Sequence, residues 1–421
     1  MYKLKWNRTD GIIFLGVVLF LFSDFFRFSF FEKFNLGTVP YVKNINIIAL
    51  FIIFVLLVQK RIKILINWKT FFIMTFIALC FISFINGKSQ MYLLPLYICN
   101  LVIPLFLLNS VYKMIDGVHL FKGFLKFYNI WICTVVVLGL IDYVSGGIIN
   151  NWLTHHFYSA SMANLANSEY NFVYRLSTPW GTSLFNGFLV LIFLILNSIY
   201  HSIFDKNNTK LYLVYVISLI GIILVGSKAC LICSLIYIMI TRMREKNKIF
   251  NLVIISLILL AMFNSEFFQE NIWGRILGQY ETGTLSSGRG YIFSFIASGY
   301  VELPNFFMGN GAGYSRVIST NLNAMHNTAT NFEYPVIMFS YDYGILATLL
   351  YYLFMICLPF SKLLKFRNRI LSISLVTLFI YLNTFNGLAE LNYDFNYKYV
   401  FLIIMFYHLA IAMGKEEKNV I

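Results

Sequence analysis

The chain has 421 residues, of which 59% are hydrophobic and only 12% are charged, and its mean hydropathy is +0.74. Soluble domains carry about 25% charged residues, so this composition excludes an ordinary soluble globular protein. The formal charge of +14 does not indicate nucleic acid, because the basic residues cluster in short loops between apolar runs, which is the pattern of membrane topology. We therefore expect membrane lipids and no nucleic acid as partners.

Apolar runs recur through nearly the whole length and leave no room for a separate soluble domain. Because about 20 apolar residues cross a bilayer as a helix, the sequence predicts an all-α, polytopic membrane bundle, a single transmembrane domain over residues 1–421. The twelve predicted spans, in chain order, are 11–30, 44–58, 71–86, 92–111, 127–145, 178–200, 211–226, 229–241, 249–263, 335–359, 370–384 and 398–413.

The basic residues predict how these spans are oriented. If the N-terminus, with Lys3, Lys5 and Arg8, lies in the cytoplasm, 22 of the 32 Lys and Arg residues fall on the inner side. This asymmetry is the positive-inside pattern, and it predicts an inner- or plasma-membrane protein with both termini cytoplasmic. Two long loops, 146–177 and 264–334, then face outward into the periplasm or extracellular space.

Residues 211–241 pose a specific problem. The loops on both sides of this stretch are basic, so an even number of crossings must separate them. The chain must therefore turn near Gly226, Ser227 and Lys228, which leaves two arms shorter than a full crossing. Lys228 would lie in a recess below the outer surface, where a charge is costly unless it faces water or an anion.

The outer loops contain the candidate chemistry. Their cations are the four arginines Arg175, Arg275, Arg289 and Arg316, with no lysine. The guanidinium fork matches phosphate oxygens, although ordinary loop solvation explains a single Arg equally well. His326, the one His of the second loop, is a candidate general base. His155 and His156, in the first loop, are the alternative candidates for the general base.

Other features of the outer loops point less clearly to chemistry. The pattern of residues 286–300 predicts a surface helix with a serine as its N-cap and one aromatic face. The glycine-rich stretch 309–313 can cradle a phosphate or simply make a tight turn. Asp342, inside a predicted span, is a candidate packing or cavity residue. The outward carboxylates are scattered, so we expect no metal and no cofactor.

Three segments resemble the O-antigen polymerase and O-antigen ligase superfamily of membrane glycosyltransferases. The stretch from Arg175 to Gly187 is similar to that family's Arg-rich entry segment. Residues 226–231, Gly-Ser-Lys-Ala-Cys-Leu, resemble its Ser-Arg-Gly-Ala-Leu motif at a short-helix turn. The third segment comprises residues 287–293, 307–313 and His326-Asn327-Thr328, followed by Tyr343-Gly344-Ile345. Lys228 stands where the family usually has Arg, and Ala229 replaces a Gly.

This resemblance implies an all-α, metal-independent enzyme whose donor is an oligosaccharide on undecaprenyl pyrophosphate. Arg289 and Lys228 would bind the pyrophosphate, assisted by Arg175 and Arg316. His326, next to Asn327, would act as general base on the acceptor sugar. The expected product is O-antigen or capsular polysaccharide, and a chain-length regulator protein is a further expected partner.

Three alternatives stay open. A ligase of the same superfamily would transfer the chain to lipid A–core or to another surface acceptor. A flippase for lipid-linked oligosaccharides also has about a dozen spans, but we expect related halves in such a transporter. A structural or sensory membrane protein explains the spans, but it leaves the Arg-only outer loops without a role.

Overall fold

A computed structural model describes residues 7–35, 45–57, 68–87, 101–109, 115–158, 163, 174–205, 207–243, 248–281, 290–326, 334–366, 368–385 and 395–419. Within these ranges every extended regular element is a helix, and the only β feature is a single bridge between Thr178 and Gly181. The prediction of an all-α fold is confirmed.

The helices are labelled α1 to α18 in chain order. They are α1 (Arg8–Leu21), α2 (Asp24–Phe31), α3 (Ile45–Leu57), α4 (Trp68–Asn86), α5 (Ile103–Asn109), α6 (Gly117–Val144), α7 (Ile148–His156), α8 (Ser183–Ile203), α9 (Asn208–Val225), α10 (Lys228–Arg242), α11 (Lys248–Phe263), α12 (Gly274–Glu281), α13 (Tyr291–Ala297), α14 (Tyr314–His326), α15 (Pro335–Tyr343), α16 (Ile345–Lys365), α17 (Arg369–Leu382) and α18 (Phe395–Asn419). Two short helical turns, Glu266–Phe268 and Gln269–Trp273, precede α12.

Six helices in the described part of the chain are long and apolar enough to cross a membrane. They lie in α4, α6, α8, α9, α16 and α18. A seventh span results if α1 and α2, which meet at an angle of 61°, are counted as one bent crossing. Helices α3 and α17 are apolar but shorter.

The core of the bundle surrounds α8. The apolar window of α8 is 89% buried, whereas that of α4 is only 28% buried. Residues 188–196 of α8 form an uninterrupted apolar run, as an enclosed helix requires. The exposed face of α4 carries Phe71, Met74 and Ile85, an apolar surface suited to lipid rather than to water.

Most predicted spans coincide with helices, although two of them are broken and one starts late. The predicted span 11–30 is broken between α1, which ends at Leu21, and α2, which starts at Asp24. The predicted span 335–359 is wrong as a continuous helix, because α15 ends at Tyr343 and α16 starts after Gly344. In the predicted span 178–200 the helix, α8, starts only at Ser183, five residues after the predicted boundary. Residues 178–181 form a tight turn instead. Of the predicted span 92–111, the part up to residue 100 lies outside the described residues.

Candidate functional site

The segment 174–182, which carries Arg175, is hydrogen-bonded to the helices at one end of the bundle. The Tyr174 hydroxyl donates to Asp142 Oδ2 and to the Gly139 carbonyl in α6, both at 3.0 Å. On the other side of Arg175, the Leu176 amide donates to the Leu224 carbonyl in α9 at 2.8 Å. Because both neighbours of Arg175 are anchored, the backbone holds this arginine beside the end of α9.

Asn186, in the first turn of α8, closes the rest of this segment. Its side-chain amide donates to the carbonyls of Leu176 and Gly181, at 2.8 and 2.9 Å. Its Oδ1 accepts from the Thr178 hydroxyl at 2.8 Å. Asn186 is fully buried, so these three bonds satisfy a polar group that would be costly if left unpaired. The segment 174–182 is thereby joined to the start of α8.

The turn predicted at residues 226–228 is confirmed. Helix α9 ends at Val225, and Gly226 adopts the left-handed conformation with φ +64°, which favours glycine. The Ser227 hydroxyl then caps α10 by accepting from the Cys230 amide at 3.3 Å. Lys228 is the first residue of α10 and is half-buried. It therefore stands at the positive end of that helix dipole.

Tyr381 brings the two cation-bearing segments together. Its hydroxyl, at the end of α17, donates to the Leu184 carbonyl at 2.9 Å. The Arg175 guanidinium and the Ser227 hydroxyl both lie close to this phenol. Gly187 of α8 faces it as well, and a Cβ there would clash with the phenol oxygen. Arg175 and the start of α10 thus share one end of the bundle.

This arrangement suits an anion. It joins a half-buried guanidinium, a half-buried ammonium and the start of a 15-residue helix. Arginine offers two parallel donors to a phosphate, lysine adds a compact charge, and backbone amides at a helix start are oriented toward negative groups. A phosphate or pyrophosphate group is the ligand that this chemistry favours.

A mostly apolar cavity of about 210 Å³ lies against the same segment. Its walls come from α6, α7 and residues 176–180, and they include Trp152 and Trp180. Asp142 also lines it, but both carboxylate oxygens accept hydrogen bonds, one from Tyr174 and one from the Asn150 amide at 3.0 Å. Asp142 therefore joins α6 to α7 and to the segment 174–182 through these hydrogen bonds.

A second group of elements surrounds the break between α15 and α16. The segment 305–311 pairs with both helix ends: Ile345 and Leu346 donate to the carbonyls of Asn305 and Phe306 at 3.1 and 2.9 Å. In the other direction, the amides of Asn310 and Gly311 donate to the carbonyls of Tyr341 and Asp342 at 3.0 and 2.9 Å. The loop thus satisfies the backbone groups that a broken helix leaves without partners.

In the glycine-rich turn, the backbone amides bind the carboxylate of Asp342 instead of a phosphate. This carboxylate accepts from the amides of Gly313 and Ser315, at 3.2 and 2.8 Å, and so caps the start of α14. Asp342 is only 3% exposed. Of the two roles considered for residues 309–313, the tight turn is the one observed, with Gly311 and Gly313 at positive φ.

The remaining candidate residues belong to this second group or lie beyond the described ranges. Arg316 is exposed in the first turn of α14, and His326 is the last residue of that helix. The side chain of His326, like the whole of Arg289 and Asn327, lies outside the described residues. The predicted surface helix is present as α13, although it starts at Tyr291 with Gly290 as its N-cap and ends before Tyr300.

The competing histidines lie on α7. His155 and His156 form its last turn, and both are exposed. The His155 carbonyl accepts from the Lys33 ammonium at 3.1 Å, and the His156 ring lies 5.6 Å from that of Trp152. These contacts describe the surface of a short helix.

The structure also reveals a buried cation that sequence reasoning missed. Lys398, in the first turn of α18, is fully buried, and its Nζ lies 4.7 Å from the centre of the Phe185 ring and 5.9 Å from that of Phe20. Its position at the first residue of a predicted span was the available signal, since an ionisable residue within a span is by default a functional candidate.

Within the described ranges, no group of three or more His, Cys, Asp or Glu side chains is arranged to hold a metal ion. Comparison of the chain with protein families, with curated proteins and with solved structures finds no match.

Proposed function

We propose that this chain polymerises oligosaccharide repeat units carried on undecaprenyl pyrophosphate into O-antigen or capsular polysaccharide. In this proposal about twelve helices cross the bacterial inner (plasma) membrane, both termini are cytoplasmic, and residues 264–334 face outward. The observation that carries the proposal is that Arg175 lies at the same end of the bundle as the start of α10, whose first residue is Lys228, through the Leu176–Leu224 hydrogen bond and the contacts of Tyr381 with Arg175 and Ser227. These residues come from two of the three segments that resemble the polymerase superfamily.

The reaction is a glycosyl transfer. A hydroxyl oxygen of the acceptor sugar attacks the anomeric carbon of the donor, and the bond from that carbon to the pyrophosphate oxygen breaks. The electron pair leaves with undecaprenyl pyrophosphate, and His326 takes the hydroxyl proton. Arg175, Lys228 and Arg289, with Arg316, stabilise the leaving group as its charge develops, which is the usual largest contribution to such catalysis. The energy is already present in the sugar–pyrophosphate bond.

The test is the double substitution Arg175→Ala/Lys228→Ala in a strain that lacks its own copy of the gene. Each lost cation removes transition-state stabilisation, so we expect the polysaccharide ladder to fall by about 100-fold or more. The measurement is a gel that separates surface glycan by length. Lys33→Ala is the matched control, because Lys33 is an exposed cation at the same end whose bond goes to the His155 carbonyl.

The pattern on the gel distinguishes the related reactions. Loss of a polymerase leaves a single repeat unit on its acceptor, whereas loss of a ligase leaves long chains on the lipid carrier. A full-length ladder from the double variant, with the protein present at its normal level, would remove Arg175 and Lys228 from the reaction. The variants His326→Ala and Arg289→Ala test the remaining two catalytic assignments in the same way.

A further inference from the structure

A larger cavity, of about 580 Å³, lies at the opposite end of the bundle from Lys228. Its walls come from the last turns of α8 and α10, from residues 410–414 of α18 and from the first two turns of α9 and α17. Four helix ends meet there, and the basic loops that join these helices place this end of the bundle in the cytoplasm. Nothing in the proposed glycosyl transfer uses this end.

Three basic side chains line this cavity: His201, Arg242 and Arg369. Among the residues that the structure describes, none of those lining this cavity is Asp or Glu. About half of the cavity wall is apolar, with Ile203, Ile373 and Met413 among its members. A cavity with cations at one place and apolar side chains around them has the chemistry of a site for an amphiphilic anion.

Arg242 is the buried centre of this site. It is only 1% exposed, and its Nε donates to the Tyr215 hydroxyl at 2.6 Å. The guanidinium carbon lies 5.2 Å from the centre of the Tyr215 ring and 6.0 Å from that of Tyr212. These contacts hold the planar fork in one orientation, so little side-chain entropy is lost when it binds an anion.

A neighbouring cavity of about 500 Å³ extends the basic surface. It shares His201 with the first cavity and is also lined by Lys122, Lys126 and Lys210. The one carboxylate among its described lining residues, Asp205, accepts from Lys210 at 3.0 Å, and this hydrogen bond lowers the pKa of Asp205. The acid is therefore paired with a lysine, and the two cavities together remain positively charged.

We propose that the cavity around Arg242 binds the phosphate group of an anionic ligand, with Arg242, Arg369 and His201 as its contacts. An anionic phospholipid of the inner leaflet supplies such a phosphate together with acyl chains that match the apolar wall, and a soluble phosphate compound is the other source. The proposal concerns the end of the bundle remote from Arg175 and does not depend on polymerase activity.

The test uses the purified full chain in detergent, with phosphatidylglycerol as the anionic lipid and phosphatidylcholine as the zwitterionic control. Native mass spectrometry measures which lipid is retained, and thermal unfolding measures stabilisation. We expect phosphatidylglycerol to be retained in preference. Arg369→Ala and Arg242→Gln should each weaken that binding by about tenfold, the effect of one lost charge-assisted contact. Lys365→Ala is the matched control, since Lys365 is an exposed cation nearby that does not line the cavity.

A separate titration with inorganic phosphate identifies the source of the ligand. Stabilisation by phosphate that Arg369→Ala abolishes, without a preference for phosphatidylglycerol, would support the site with a soluble ligand. Equal retention of both lipids together with no effect of phosphate would overturn the proposal. So would wild-type binding by Arg369→Ala, which decides the matter even if Arg242→Gln does not fold, because Arg369 is exposed.

Discussion

Two buried carboxylates, Asp142 and Asp342, each join their own helix to other segments of the chain through hydrogen bonds. Each accepts two hydrogen bonds, one on each oxygen, from a segment outside its own helix. Both are less than 5% exposed. A buried carboxylate is tolerated only when it is hydrogen-bonded or paired, and here the donors lie in α7 and in the segments that carry Arg175 and Arg316. These acids hold in place the segments that carry the candidate cations.

Asp342→Ala tests this role at the level of one residue. The substitution leaves the buried Ser315 amide and the Gly313 amide without their acceptor, and we expect a loss of about 3 kcal/mol. The measurement is thermal unfolding of the purified protein in detergent, combined with limited proteolysis between residues 303 and 326. The variant should unfold at a lower temperature and be cleaved faster in this stretch.

Two further variants show whether the effect is specific. Asp342→Asn keeps one acceptor oxygen and should lose about half as much stability as Asp342→Ala. Asp205→Ala removes an acid that pairs with exposed Lys210, and surface pairs of this kind contribute little. If Asp342→Ala and Asp205→Ala had the same Tm and cleavage rate, Asp342 would not fasten α14.

Two interrupted helices shape this bundle at the level of elements. The chain leaves helical geometry at Gly226, between α9 and α10, and at Gly344, between α15 and α16. At Gly344, with φ +94°, the segment 305–311 pairs with the freed backbone groups. Broken helices at membrane depth are tolerated only where protein or water satisfies those groups. Each break also places a short segment next to candidate binding residues.

The break at Gly226 has a direct test. A left-handed conformation costs a β-branched residue about 1–2 kcal/mol or more, whereas Asn adopts it readily. Asn and Val have similar volumes, so Gly226→Val should unfold at a lower temperature than Gly226→Asn in detergent and should yield less polysaccharide. Equal Tm values for the two variants would show that the left-handed turn does not limit stability.

The whole molecule has two basic ends with different properties. At one end Arg175 and Lys228 lie beside helix starts and an apolar cavity of about 210 Å³. At the other end Arg242 and Arg369 line the larger cavity. Helices α9 and α10 rise about 27 Å and about 22 Å at 1.5 Å per residue. The Lys228 end is therefore displaced from the Arg242 end by most of a bilayer's hydrocarbon thickness, about 30 Å.

Cysteine labelling tests which end faces outward. In a chain whose native cysteines are replaced, Asn321→Cys on α14 and Asn208→Cys on α9 are matched changes at exposed positions. We expect a membrane-impermeant maleimide to label Asn321→Cys on intact cells and to label Asn208→Cys only after the cells are opened. The reverse result would place residues 314–326 in the cytoplasm and would withdraw the proposed function.

Local patterns explain why part of the site was predictable. The charge of the two loops that flank residues 211–241 required a turn near Gly226, and the structure places the turn there. Glycine, serine and lysine at that point have local effects on backbone and capping that sequence alone reveals. The break at Gly344 was not predicted, because it depends on pairing with residues 305–311, more than thirty positions away.

Composition and local pattern by themselves determined that this protein is helical, that apolar helices follow one another along the chain, and that cations lie at 175 and 228. Those properties depend on each residue's own hydropathy and charge. Only the tertiary structure decided that Arg175 stands beside the start of α10, that Asp342 fills the glycine-rich turn, and that Arg242 lines a cavity. Each of these depends on contacts between segments distant in the chain, whose pairing no local pattern records.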